Sequence, residues 1–145
     1  FPYTTLFRSV EFQQLAQKNL QLGQAFLAEN RSQPNVITTA SGLQYQVLQQ
    51  GQGKSAKVNS TVKVNYEGRL LDGTVFDSSI ARDHPEEFKL NSVILGWREG
   101  VRTMKEGGKT RFFIPTNLAY GEVGSGDAIG PNSALIFDIE LLEVH

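Results

Sequence analysis

The chain has 145 residues, 39% of them hydrophobic, the size of one domain that can bury its own core with a modest appendage. Lys and Arg number 14 against 15 Asp and Glu, with no run of like charge, a balance that argues against a nucleic-acid stripe or a polybasic membrane patch. Cysteine is absent, which excludes a disulfide framework, a thiol nucleophile and thiolate metal ligands, and no apolar run approaches the length of a membrane span.

Phe1–Ser9 (FPYTTLFRS) reads as the translation of a sequencing adapter, so the natural chain is expected to continue upstream and to have left any targeting signal there. Residues 10–31 are rich in Gln, Leu, Ala, Lys and Glu, which predicts one helix with Gly23 as its weak interior point. Phe12, Leu15, Leu22 and Phe26 recur at helical steps, with Leu20 and Leu27 to one side. That pattern is compatible with a helix packed on its own domain and equally with an exposed connecting helix.

Residues 32–40, around Pro34, read as a polar linker. Leu43, Tyr45 and Val47 then alternate with Gln44 and Gln46, as a strand with one buried face should. Val62, Val64 and Tyr66 alternate with Lys63 and Asn65, and Asp72-Gly73 supplies a turn into Thr74–Phe76, predicting a hairpin. Trp97, Val101 and Met104, spaced by four and three, mark one face of a short helix that Gly107-Gly108 should end. A strand over Thr110–Ile114 closes at Pro115, and a loop holding Gly121, Gly124, Gly126 and Gly130 leads to a last alternating strand, Ala134–Val144. Many strands with one short helix point to an α+β antiparallel sheet rather than a doubly wound nucleotide-binding fold.

Motifs for covalent or metal chemistry are incomplete. Gly53-Lys54-Ser55 and Gly108-Lys109-Thr110 imitate a phosphate loop, but Leu48 and Thr103 occupy the places of its earlier glycine. His84 and His145 stand far apart, and Ser78 and Ser79 have neither a His base nor a nucleophile-elbow pattern around them. There remain six aromatics on separate elements: Tyr66, Phe76, Phe88, Trp97, Tyr120 and Phe137. Spacing alone does not separate an ordinary core from a shared ligand pocket.

The segments VKVNYEGRLLDGTVFDSS (Val62–Ser79), VILGWREGV (Val93–Val101), IPTNLAYG (Ile114–Gly121) and IGPNSALIFDIELLEV (Ile129–Val144) resemble, in order, the signature blocks of FKBP-type (tacrolimus-binding) peptidyl-prolyl cis-trans isomerases. The stretch from Gly23 to Asn30, with Ser41–Tyr45, is similar to the macrophage-infectivity-potentiator branch of Gram-negative bacteria. The resemblance implies an isomerase domain over residues 41–145, a twisted antiparallel half-barrel wrapped on one short helix and preceded by a long N-terminal helix. It implies a pocket walled by Tyr66, Phe76, Val93, Ile94, Tyr120, Ile129 and Phe137 with Trp97 as its floor, Asp77 as the pocket aspartate and Arg82 as its partner. Glu86 stands where some members carry an aromatic residue and Ser125 replaces a polar ring seen in others, with Phe88 positioned to compensate.

What the resemblance implies is rotation of Xaa-Pro bonds in folding polypeptides, without metal or cofactor. The alternative it leaves is a proline-binding chaperone module with incidental turnover. Amide rotation meets a barrier of about 18–20 kcal/mol set by resonance, and needs neither a nucleophile nor a proton transfer. An apolar slot favours the less dipolar twisted amide and holds the proline while its neighbour turns. The Tyr120 hydroxyl and the Ile94 N–H are implied donors to substrate carbonyls. Asp77 reads either as a buried structural carboxylate or as a charge acting on the amide. Expected partners are proline-containing polypeptides and macrolides of the tacrolimus and rapamycin type, with no nucleic acid. The full-length protein is expected to be a homodimer through an upstream segment, in the periplasm or at the outer-membrane surface, with the cytoplasm as the alternative.

Overall fold

The structure, a computed structural model, describes residues 2–126 and 128–145, with side chains from residue 10 onward. The adapter reading of Phe1–Ser9 falls outside those side chains. The elements are α1 (Pro2–Asn30), β1 (Val36–Thr38), β2 (Gln44–Gln49), β3 (Thr61–Leu70), β4 (Val75–Ser78), β5 (Glu86–Lys89), α2 (Leu95–Val101), β6 (Lys109–Ile114) and β7 (Leu135–Val144). Among the described residues the strands form one sheet in the order β1-β2-β6-β7-β3-β4, every pair antiparallel. The first half of β3 pairs with β5 and its second half with β4, so two short strands share one edge and residues 79–85 loop out between them. No described helix is long and apolar enough to cross a membrane.

Strict alternation builds the inner face of the sheet. Val62, Val64 and Tyr66 from β3 and Leu135, Phe137, Ile139 and Leu141 from β7 are buried, while their odd-numbered and even-numbered neighbours, respectively, turn the other way. Against this face lies α2, and its two glycines decide how closely. A Cβ at Gly96 would stand 2.6 Å from Ile114 Cγ2, and one at Gly100 2.5 Å from Phe112 Cε1. Their absence lets the helix backbone rest on β6, which buries Val101 completely and turns Trp97 into the sheet. The helix is shorter than expected: it ends at Val101, not at Gly107-Gly108. The Thr103 hydroxyl donates to the Gly100 carbonyl at 2.6 Å, and the Thr103 and Met104 amides close tight turns at 3.0 Å, so the last carbonyls are satisfied there.

Helix α1 packs on the outer face. Ala16, Asn19, Leu20, Gly23, Phe26, Leu27 and Asn30 form the covered stripe, whereas Phe12, Leu15 and Leu22 of the anticipated stripe are 44%, 45% and 53% exposed. Gly23 explains the shift, since the helix turns the side with no side chain toward Ala134. Phe26 meets Phe113 with ring centroids 5.9 Å apart. Gln44, the cross-strand partner of Phe113, is buried because its amide bridges to α1: Asn30 Nδ2 donates to Gln44 Oε1 and Gln44 Nε2 donates to the Leu27 carbonyl, both at 2.8 Å. The expected polar face of β2 is therefore half covered, while Val47 is exposed. The anticipated linker 32–40 holds a strand of its own, β1, paired to β2 from Val36↔Gln46 to Thr38↔Gln44. β5 has no counterpart in the expected elements.

Candidate functional site

Five elements, α2, β3, β4, β5 and β7, converge beneath one end of the sheet. Trp97, one turn into α2, is held edge-on by three rings, with centroids at 5.4 Å from Tyr66, 5.5 Å from Phe88 and 5.3 Å from Phe137. Phe76 of β4 completes the set, 5.4 Å from Phe137 at an interplanar angle of 87°. Perpendicular packing of this kind contributes about 0.5–1.5 kcal/mol per pair beyond burial, so the rings fix one another's orientation. Above Trp97 they leave a cavity of about 330 Å³, at the small end of the range for ligand sites. Tyr66, Phe76, Phe88, Ser92, Val93, Ile94, Tyr120 and Phe137 line it together with Trp97, and Asp77 adds a carboxylate to the lining.

Strand β3 ends its run of buried side chains at Gly68, and that glycine makes room for the wall. A Cβ there would stand 2.5 Å from Phe76 Cζ and 2.7 Å from Phe137 Cε1. The polar rim is built around Asp77. Its Oδ2 accepts the Tyr66 hydroxyl at 2.6 Å, its Oδ1 accepts Arg82 Nη1 at 2.6 Å, and Arg82 Nη2 donates to the Tyr66 oxygen at 3.1 Å. Burial pushes the Asp77 carboxyl up, but the bonds from Tyr66 and Arg82 outweigh it and hold the group below the usual aspartate value. Burial, reinforced by the neighbouring Asp77 charge, pushes both Tyr66 and Tyr120 above the usual phenol value. At neutral pH the rim is thus one carboxylate, one guanidinium and two protonated phenols. Ile94 precedes α2, and among the described residues its N–H has no hydrogen-bond acceptor.

Of the residues singled out in sequence, Tyr66, Phe76, Asp77, Phe88, Val93, Ile94, Trp97, Tyr120 and Phe137 all face this cavity. Ile129 does not: it is 5% exposed, in the core, and bridged to Ser125 through reciprocal backbone bonds at 2.8 and 3.1 Å. Arg82 reaches Asp77 and, at 3.6 Å, Glu86 rather than the cavity itself. Ser92 lines the cavity and was missed; it sits in a single 3₁₀ turn, Leu90–Ser92, with its hydroxyl given to the Lys89 carbonyl at 2.8 Å. Gly68 was also missed, although an isolated glycine amid the alternating residues of a strand signals a close approach. Ser79 is engaged structurally, its Oγ accepting the Tyr66 amide at 2.7 Å. His84 and His145 form no pair, and no group of three or more His, Asp or Glu among the described residues is placed to hold a metal ion.

A wider cleft of about 590 Å³ lies elsewhere, between the end of α1 and strands β1, β2 and β6. Its one strongly held charge, Arg111, is bound by Asp138 through Nε at 2.7 Å and Nη2 at 3.0 Å. Phe26 and Phe113 pair at its wall among mainly polar side chains such as Glu29, Gln33 and Gln46, whereas the Trp97 cavity gathers six aromatic side chains around a hydrogen-bonded polar rim and is the candidate site.

The family model for FKBP-type peptidyl-prolyl cis-trans isomerase matches residues 52–142, and that for the domain amino-terminal to it matches residues 5–47. The chain is 54% identical over 129 residues to a probable FKBP-type peptidyl-prolyl cis-trans isomerase FkpA of Neisseria meningitidis, covering 89% of this chain and 47% of that protein. It is 52% identical over 126 residues to the peptidyl-prolyl cis-trans isomerase Mip of Coxiella burnetii, covering 87% and 55%. The crystal structure of FkpA from Escherichia coli superposes with a TM-score of 0.91 at 42% identity, covering 94% of this chain and 63% of that one. The chain spans about half the length of the curated relatives it matches.

Proposed function

The chain belongs to the FKBP-type peptidyl-prolyl cis-trans isomerase family, and we propose that its residues 41–145 accelerate rotation of Xaa-Pro bonds in other polypeptides at the Trp97 cavity. The observation that carries this reading is the aromatic slot of about 330 Å³, floored by a nearly buried indole, with its one lining carboxylate, Asp77, already committed to Tyr66 and Arg82. A planar prolyl amide owes its stiffness to charge separation that water favours. Transferred onto the rings of Phe76, Trp97 and Phe137, it loses that solvation, and the twisted state, being less dipolar, loses less.

The slot also positions. A proline ring seated on Trp97 is held between Phe76 and Ile94 while the chain before it turns, which lowers the entropic cost of the twisted geometry. The Ile94 N–H and the Tyr120 hydroxyl are the donors for the flanking carbonyls, each contributing about 1 kcal/mol. Val93 and Phe88 shape the walls, and Arg82 acts through Asp77. A protease-coupled assay on prolyl peptides tests the reading: the wild-type chain should be active and a Phe76→Ala, Asp77→Val double variant should not. Equal rates for the two would defeat it.

The same slot is the place for macrolides of the tacrolimus and rapamycin type, with Trp97 emission as the reporter; no change at saturating ligand would exclude them. Exposed Val10, Phe12 and Leu15 on α1 support a full-length homodimer formed through a segment upstream of them. The resemblance to the macrophage-infectivity-potentiator branch supports a periplasmic or outer-membrane-surface location. Sedimentation and fractionation of the protein with its upstream sequence test both.

A further inference from the structure

Tyr120 stands at the head of a loop whose returning limb is fastened to α1. On that limb Asn132 adopts a left-handed conformation, φ 55°, and its N–H donates to the Gly121 carbonyl at 2.8 Å, pinning the residue directly after Tyr120. The Asn132 side chain reaches the other way: Nδ2 donates to the Ala16 carbonyl of α1 at 3.3 Å. Asn19 of α1 returns a bond from its Nδ2 to the Pro131 carbonyl at 2.9 Å. One residue therefore touches both the helix and the head of the loop. Gly23 permits the approach, because a Cβ there would stand 3.2 Å from Ala134 Cβ. Among the described residues, the tip of the loop is closed by backbone bonds between Ser125 and Ile129 at 2.8 and 3.1 Å. None of Asn19, Gly23 and Asn132 lines the Trp97 cavity.

We propose that α1 is a splint for the Tyr120 loop, with Asn132 as its positioning residue, and that docking of the helix sets how tightly the slot holds a prolyl polypeptide. The inference rests on the isomerase reading of the slot. A hydroxyl that grips a substrate carbonyl does so in the planar and in the twisted state, so loosening Tyr120 weakens both alike. The signature is a raised KM with kcat preserved. The coupling is physical rather than statistical: two hydrogen bonds and one close helix contact join α1 to the limb that anchors Gly121.

Two substitutions in the full chain separate the splint from simple stability. Asn132→Gly keeps the left-handed backbone and the bond to Gly121 but removes the bond to Ala16. Gly23→Val leaves the loop sequence untouched and forces α1 away from Ala134. For both, the expected result is a protection factor at the residue-132 amide lowered by about five- to tenfold, KM raised about three- to tenfold, and kcat within about twofold of wild type. Unchanged protection and KM in Asn132→Gly, or a fall in kcat with KM unchanged, overturns the proposal. If Gly23→Val fails to fold, Asn132→Gly decides alone. If the wild-type chain shows no isomerase activity, the isomerase reading falls, while the exchange arm still decides the splint.

Discussion

Replacing Gly68 by alanine adds one methyl group at the point where the slot wall is tightest. The new Cβ would lie 2.5 Å from Phe76 Cζ and 2.7 Å from Phe137 Cε1, whereas ordinary carbon contacts begin near 3.5 Å, so the two rings must retreat by about 1 Å. Overpacking of this size costs about 1–3 kcal/mol, against a gain of about 0.5–1 kcal/mol from removing a glycine within a strand. The overpacking wins, and urea unfolding should show a net loss of about 1–2 kcal/mol. Phe137 is also one of the three rings that clamp Trp97, so the retreat disturbs the slot: kcat/KM should fall about tenfold, equivalent to about 1.4 kcal/mol. Gly73→Ala is the control. Its residue has φ 93° with nothing within 4 Å, so it should lose stability from backbone strain while kinetics stay near wild type. Wild-type kinetics in Gly68→Ala, or an equal kinetic loss in Gly73→Ala, would refute the argument that this missing side chain shapes the slot.

Gln44→Leu removes the amide that Asn30 and the Leu27 carbonyl share, and thermal unfolding should show a loss of about 1–3 kcal/mol; an unchanged midpoint would mean that α1 docks without that bridge. Burial raises the Asp138 carboxyl, but Arg111 and Arg69 outweigh it and hold it below the ordinary aspartate value. A carboxyl depressed in the folded state contributes stability that is complete above its unfolded pKa and is lost as pH falls from there through the folded value. Arg111→Gln should therefore unfold at a higher pH on acid titration followed by Trp97 emission, and coincident curves would count against the pairing. Asp77→Asn keeps an acceptor for Tyr66 but removes the charge: peptide turnover within about twofold of wild type would make Asp77 a positioning group, and a loss equal to that of Asp77→Val would make its charge part of the chemistry.

The inner face of the sheet was legible because it obeys one rule. In β3 and β7 each inward side chain is apolar and each outward one mostly polar, so Val62 to Tyr66 and Leu135 to Leu141 announce their strands and their buried side together. β2 breaks that rule at Gln44, which is buried by a helix 14 residues earlier in the chain; a polar residue satisfied across such a distance carries no local mark. β1 and β5 were invisible for a different reason. β1 is only Val36, Ile37 and Thr38, strand-favouring residues too few to show alternation, and β5, mostly Glu86, Glu87 and Lys89, owes its existence to the open edge of β3 rather than to its own preference. The end of α2 was misplaced because Thr103 supplies a hydroxyl that terminates the helix before the glycines are reached. The aromatic cluster shows the limit of periodicity most directly: Tyr66, Phe76, Trp97 and Phe137 lie on four elements, and only resemblance, not spacing, brought them together beforehand.

That dispersion is itself part of how such a slot works. Rings contributed by one element would move together when that element breathes, and the cavity would lose its shape without losing its contacts. Here Trp97 is braced by β3, β5 and β7 at once, and Phe76 leans on Phe137 from β4, so a change in any ring distance strains a neighbour anchored in a different strand. Asp77 extends the brace to the rim. Its two oxygens are already committed, one to Tyr66 and one to Arg82, which leaves it a poor proton acceptor and a good tether for the Tyr66 ring above Trp97. The two opposite charges of Asp77 and Arg82 largely offset one another at the mouth, so on the proposed function a prolyl amide entering the slot would meet little net field from the pair. A site that lowers a rotational barrier by withdrawing water needs this combination: a fixed apolar interior, and a polar rim whose charges are satisfied before the substrate arrives.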